Sequence, residues 1–181
     1  MPWPILVLTH EPWRDKVPAV DRLIDWISST HANAVIRDTV WIIPLVQTVH
    51  ILAISVVMGS VLLLNLRVIG IISAGETSDA FTRRYLPWVW SGLVLLLISG
   101  AILIIGEPGR DLKNATFWTK MALIVCAIAL TLALERPVLH DAGFWDRPGR
   151  RLAARVMAVL SIACWVGITL CGRWIAYTYE T

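Results

Sequence analysis

The chain has 181 residues, of which 57% are hydrophobic and only 16% charged, against about a quarter charged in a soluble domain. That balance excludes an ordinary soluble globular domain, and the length suits one bundle rather than two domains. The formal net charge of +3 does not point to nucleic acid, because the arginines gather beside apolar segments, where positive charge sets membrane topology.

Residues 1–40 are polar enough to lie outside hydrocarbon. Residues 5–9 are too short for the apolar region of a cleavable signal, and no basic segment precedes them, so the first span is expected to act as its own insertion signal. Val20, Leu23, Ile24 and Ile27 recur at helical spacing, with Asp21, Arg22 and Asp25 opposite. This pattern predicts a short amphipathic helix lying in the membrane interface. Ser28, Ser29 and Thr30 mark its end, and a second helical stretch leads from Ala32 toward Trp41.

Four apolar runs follow, at about 41–72, 87–106, 118–134 and 156–176. Each approaches the ~20 residues that carry an α-helix across ~30 Å of hydrocarbon. In lipid the backbone must satisfy its own hydrogen bonds, so these runs are predicted to be helices. Pro44 either begins the first span or kinks it. The first span carries Gly59 and Ser60, and the second Ser91, Gly92, Ser99 and Gly100, small residues that predict a tight antiparallel pair. Trp41, Trp88, Trp90, Trp118 and Trp174 fall near span ends as an aromatic belt, and Trp165 near mid-span reads as a packing residue. Cys126, Cys164 and Cys171 form no CxxC pair and read as small buried apolar residues.

Arg67, Arg83 and Arg84 flank the first loop, and Arg136, Arg147, Arg150, Arg151 and Arg155 the third. The other side carries Arg37, Arg110, Lys113, Lys120 and Arg173. This bias predicts cytoplasmic first and third loops with both termini outside. Arg67 is expected to snorkel or to pair with Glu135 at the same membrane face.

Few strongly polar side chains enter the spans. Gln47 and Asn65 each project about 60° from His50 and on the same side, which predicts one stripe facing the bundle, with Met58 nearby. An ionisable residue inside a membrane helix is a functional candidate by default. His50 is read as a ligand or cofactor residue, as a proton carrier, or as a structural hydrogen-bonding group. Lys120 and Met121 begin the third span and Arg173 ends the fourth, at the depth of His50. A histidine flanked by two cations suits an anionic ligand such as haem propionates, a quinone headgroup or a carboxylate. The alternative is that Lys120 and Arg173 snorkel to lipid headgroups.

Haem b in four-helix membrane cytochromes usually sits between two histidines on facing helices. Only His50 lies inside a span, since His10 and His31 precede the first and His140 follows the third. A two-histidine site within one subunit is therefore unsupported, which leaves a His50/Met121 pair, a five-coordinate haem or a site shared across a homodimer. Copper on His50 and methionine is a weaker reading. No HExxH, nucleotide loop, Ser/His/Asp set or cysteine-rich motif is present, which argues against soluble-enzyme chemistry.

The segments Trp41-x-x-Pro44-x-x-Gln47-x-x-His50, Asn65-Leu66-Arg67-x-x-Gly70, Pro87-Trp88-x-Trp90-x-Gly92, Asn114-x-x-Phe117-x-x-Lys120-Met121 and Gly172-Arg173-Trp174-Ile175-Ala176-Tyr177, together with Gly59, resemble a family of small bacterial four-helix membrane proteins of unknown function. The resemblance covers about residues 23–177 and implies the same fold and a bacterial inner-membrane location, without an activity. Gln47 stands where that pattern has an acidic residue, Asn65 where it has aspartate, and Glu135 where a histidine often ends the third helix. These departures count against a charge-dependent or second-histidine role. A weaker likeness of the His50 helix is to copper-resistance and cytochrome b-like membrane proteins.

The sequence thus predicts an all-α, up-down transmembrane four-helix bundle (41–181) preceded by an amphipathic interfacial segment (1–40). The leading functional reading is a ligand- or cofactor-binding accessory module at His50, Gln47, Lys120, Met121 and Arg173 near the outer face, embedded in lipid beside other membrane subunits or a second copy. The rival is a structural or assembly subunit with no ligand. A small transporter is disfavoured, because too few polar residues line the spans.

Overall fold

The structure is a computed structural model that describes residues 18–175 apart from 73, 74, 76, 142 and 148. Its helices are α1 (Pro18–Ser28), α2 (His31–Asp38), α3 (Ile42–Ile69), α4 (Ser78–Gly106), α5 (Pro108–Leu112), α6 (Ala115–His140) and α7 (Arg151–Ile175), with a 3-10 turn at Phe144–Asp146. Among the described residues there is no strand. α3, α4, α6 and α7 are long and apolar enough to cross a membrane, so this is an all-helical, multi-pass membrane protein built as a four-helix bundle. The described part of the fourth span closes at Ile175; Ala176, Tyr177, His10 and both termini lie outside the described residues.

α4, α6 and α7 begin before their apolar runs, while α3 lies within its own. At 1.5 Å per residue the 28 residues of α3 span about 42 Å, so their ends reach the headgroup layer. α4 begins at Ser78, well before Pro87. Hydropathy falls at Arg83 and Arg84, but a helix needs no apolar side chains once it leaves hydrocarbon. Pro87 sits within the helix and gives up one backbone bond. Pro44 starts its span: it lies in the first turn of α3, where a missing N–H had no intrahelical partner to lose. α3 ends on Gly70, whose φ of +93° allows its N–H to reach the carbonyls of Leu66 and Arg67.

α3 and α4 pack as the small residues predict. A Cβ built on Gly92 would stand 2.4 Å from Val57 Cγ2, closer than two carbons can approach, so only glycine allows this separation. Val57, Val61 and Leu64 of α3, Phe81 and Val89 of α4, Ala127 of α6 and Trp165 and Ile168 of α7 share one buried cluster. Leu134 of α6 meets Ala154 and Ala158 of α7. Asn65 Nδ2 donates to Ser161 Oγ at 3.2 Å, both side chains being buried. The outward faces are apolar and exposed, as at Leu97, Val125 and Leu170. Trp165 is a core residue, with its indole N–H buried and without a partner among the described residues. Cys126 is exposed, and Cys164 and Cys171 are only half-buried, because their positions turn partly toward lipid.

The N-terminal helices cover one end of the bundle. α1 is amphipathic, but its apolar face is divided. Ile24 is buried against Leu112, Phe117 and Ile175, with Val20 and Ile27 beside it, while Leu23 and Trp26 stay exposed. Asp21 pairs with Lys113 at 2.9 Å. Thr30 caps α2 by accepting from the Asn33 N–H. The buried Asn33 amide donates to the carbonyls of Ile105 at 2.6 Å and Gly106 at 3.3 Å. It thereby satisfies carbonyls that the end of α4 leaves without helical donors.

The expected pairing of Arg67 with Glu135 does not form. The Arg67 guanidinium lies over the Phe81 ring, 5.6 Å from its centroid. Glu135 is buried on α6 with the Thr82 hydroxyl as its hydrogen-bonding neighbour. An aromatic face is available to Arg67 in its own corner of the bundle, and α6 turns Glu135 toward α4.

Candidate functional site

His50 lies eight residues after Ile42 on α3, and Ser99 seven before Gly106 on the antiparallel α4, so the two meet at one depth. His50 Nδ1 is 2.7 Å from Ser99 Oγ. The Ser99 hydroxyl has a single proton, and it donates to the Leu95 carbonyl at 2.7 Å, with the Leu96 carbonyl at 3.4 Å. The hydroxyl is therefore the acceptor from His50. Nδ1 carries the imidazole proton, and Nε2 is left with a lone pair. The ring rests against α4 where that helix has no side chain: a Cβ on Gly100 would lie 3.5 Å from His50 Cε1.

The third element is α6. Lys120 stands within electrostatic reach of His50 and of Asp111 on α5. Its Nζ is 3.8 Å from where a Cβ on Gly172 of α7 would be, an ordinary contact distance, so the ammonium group rests against that stretch of α7. Asp111 lies outside the spans. Burial raises its carboxyl above the ordinary aspartate range, opposed by the charges of Arg110 and Lys120. The result is a histidine acceptor, a half-buried cation and a carboxylate at the end of the bundle covered by α1, α2 and α5.

Of the five residues singled out from sequence, His50 and Lys120 come together. Gln47, Met121 and Arg173 are exposed. Gln47 shares its helical azimuth with Asn65, yet only Asn65 is buried. The reason is the course of α7: its Trp165 and Ile168 cover the middle of α3, whereas its end residue Ile175 packs on α1, α5 and α6. Among the described residues, Gln47 therefore has no helix over it. Met121 is one residue from Lys120, a rotation of about 100° that turns it outward. Arg173 follows the glycine that faces Lys120 but is itself on the outer surface.

Ser99, Asp111 and Asn33 are the polar residues that sequence reasoning did not assign to this end. Matching depths on an antiparallel pair would have found Ser99; nothing local marks the other two. Two cavities, of about 240 Å³ and 220 Å³, lie toward the opposite end, near the α3–α4 and α6–α7 connections, and not at His50. Among the described residues no group of three or more His, Cys, Asp or Glu side chains gathers to hold a metal ion.

Residues 11–178 match the model of a Family of unknown function (DUF6644), and the chain belongs to that family. No curated protein and no solved structure matches it. The four apolar helices agree with the four-helix membrane family that the sequence resembles.

Proposed function

We propose that the protein is a membrane-embedded binding module that holds a small ligand through His50 at the end of the bundle covered by α1, α2 and α5. The observation that carries this reading is the proton count at Ser99. Because Ser99 uses its own proton on α4, His50 presents Nε2 as a preset acceptor. Fixing one ring nitrogen so that the other can bind is how second-shell groups prepare a histidine for a ligand. Lys120 adds a cation within reach, so a headgroup with a hydroxyl donor and a carbonyl or carboxylate acceptor matches both. Haem b or a metal ion would use the same nitrogen, but the residues supply it with His50 alone. Met121 is exposed, and Gln47 and Arg173 would have to turn inward to contribute. An organic ligand of quinone-like polarity fits these residues better than haem or copper. The arginine bias supports an outer position for this end, which in the bacterial inner membrane implied by the family resemblance is the periplasmic side.

The test is an absorption spectrum and a mass-spectrometric extract of protein purified in mild detergent, compared with His50→Ala. A species that co-purifies with the wild type and is lost in the inserted variant supports the module. Absence of any absorbing or extractable species overturns it. The assembly-subunit reading would then lead, because the His50–Ser99 bond also crosses the α3–α4 seam and fastens it.

A further inference from the structure

The opposite end of the bundle carries a separate feature. A cavity of about 240 Å³ opens where α3 ends and α4 and α7 begin. Arg67 reaches it from the last turn of α3, and Arg151 and Arg155 from the first turns of α7, with Ser78, Thr82 and Trp145 on its walls. Among the described residues, none that lines it is a carboxylate. Glu135, whose hydrogen-bonding neighbour is Thr82, lines the second cavity and not this one.

Snorkelling explains arginines that spread singly into headgroups. It does not explain three arginines from two helices lining one hollow. Arg67 is half-buried and stacked on Phe81, held at the wall rather than extended away. Gly70 has no Cβ, and Arg155 Nη2 lies 3.8 Å from the place one would take, so the chain turn and the guanidinium close together over the cavity. The N-terminus of α7, with no acidic residue in its first turn, lies at this end and adds positive potential, whereas the Asp79 carboxylate already accepts from the first-turn N–H groups of α4. Guanidinium forks match phosphate oxygens in pairs. The last turn of a helix about 42 Å long also sits at the depth of lipid phosphates.

We propose that this cavity binds a phosphate ester, carried by an anionic phospholipid headgroup or presented as a soluble phosphate anion. Basic pockets between transmembrane helices commonly hold headgroups in this way.

The full chain in neutral detergent is titrated with phosphatidylglycerol, and separately with inorganic phosphate, under native mass spectrometry. Saturable one-to-one retention of the lipid, not displaced by inorganic phosphate, supports the site with the headgroup as source. Displacement by inorganic phosphate, or phosphate binding on its own, supports the site with a soluble source. In both cases Arg155→Gln weakens binding about tenfold or more, as expected for a lost charge-assisted pair. Arg147→Gln, an equal charge change on an exposed residue paired to Asp141 outside the cavity, leaves binding unchanged. Arg155 is exposed, so its variant should keep the helical circular dichroism of the wild type. If Arg67→Gln/Arg155→Gln fails to insert, the single variant decides. No binding of either probe, or equal losses from Arg155→Gln and Arg147→Gln, overturns the proposal.

Discussion

His50 Nδ1 and Ser99 Oγ meet at 2.7 Å across the seam of the first two membrane helices. The Ser99 proton is committed to its own helix, which fixes the direction of the bond. Ser99→Ala removes the acceptor and leaves a part-buried imidazole N–H to find another. A double-mutant cycle with His50→Ala, read by thermal unfolding in detergent, should give a coupling of about 0.6 kcal/mol, and at most about 1.7, the range of side-chain bonds between membrane helices. Zero coupling would show that the bond contributes nothing to the seam. Ser99→Ala should also reduce any species co-purifying through His50, because the tautomer is no longer held.

Gly92 marks a close approach of α4 to α3. Gly92→Ala places a methyl where Val57 Cγ2 already stands. Valine in a helix has one strongly preferred rotamer, so the backbones must separate. The expected cost is about 1–3 kcal/mol, the usual price of overpacking. Gly59 has nothing within 4 Å of its built Cβ, so Gly59→Ala should leave the melting temperature unchanged or raise it slightly. Equal melting of the two variants would contradict the observed seam.

Asn33 closes the end of α4 from α2. Asn33→Leu leaves the Ile105 and Gly106 carbonyls without these donors at a buried site, which should cost about 1–3 kcal/mol. Asn33→Asp should be worse, because it replaces a donor with a negative charge at a helix C-terminus. Limited proteolysis of the α1–α2 segment would report the loosened contact. Cleavage unchanged in both variants would mean that Asn33 is dispensable there.

Asp111 gives a pH signature. Burial raises its carboxyl above the ordinary value of 3.8, so in the window just above that value the folded chain binds more protons than the unfolded one. Stability is then fully present below the ordinary value and falls as pH rises through the raised one. Asp111→Asn should flatten this part of the stability curve, measured by thermal melts at a series of mildly acidic pH values. A wild-type and variant difference that does not change across the window would remove Asp111 as the cause.

The amino-acid sequence alone determined the membrane class, the four helices and the singular status of His50. Lipid offers the backbone few choices, so apolar runs of sufficient length become helices whatever surrounds them. Helical periodicity also set the angle between Gln47, His50 and Asn65 on α3. It did not set how α3 is rotated toward its neighbours or where α7 leaves it, and for that reason Asn65 is buried while Gln47 is not. Tertiary structure alone decided that Ser99 is the partner of His50, that Lys120 rather than Arg173 approaches it, and that Asn33 reaches the end of α4. The same holds for Glu135, which faces Thr82 instead of Arg67, and for the three arginines that share one cavity. Each of these is a meeting between helices. Its depth and azimuth follow from close packing at residues such as Gly92 and Val57, which no single stretch of sequence contains.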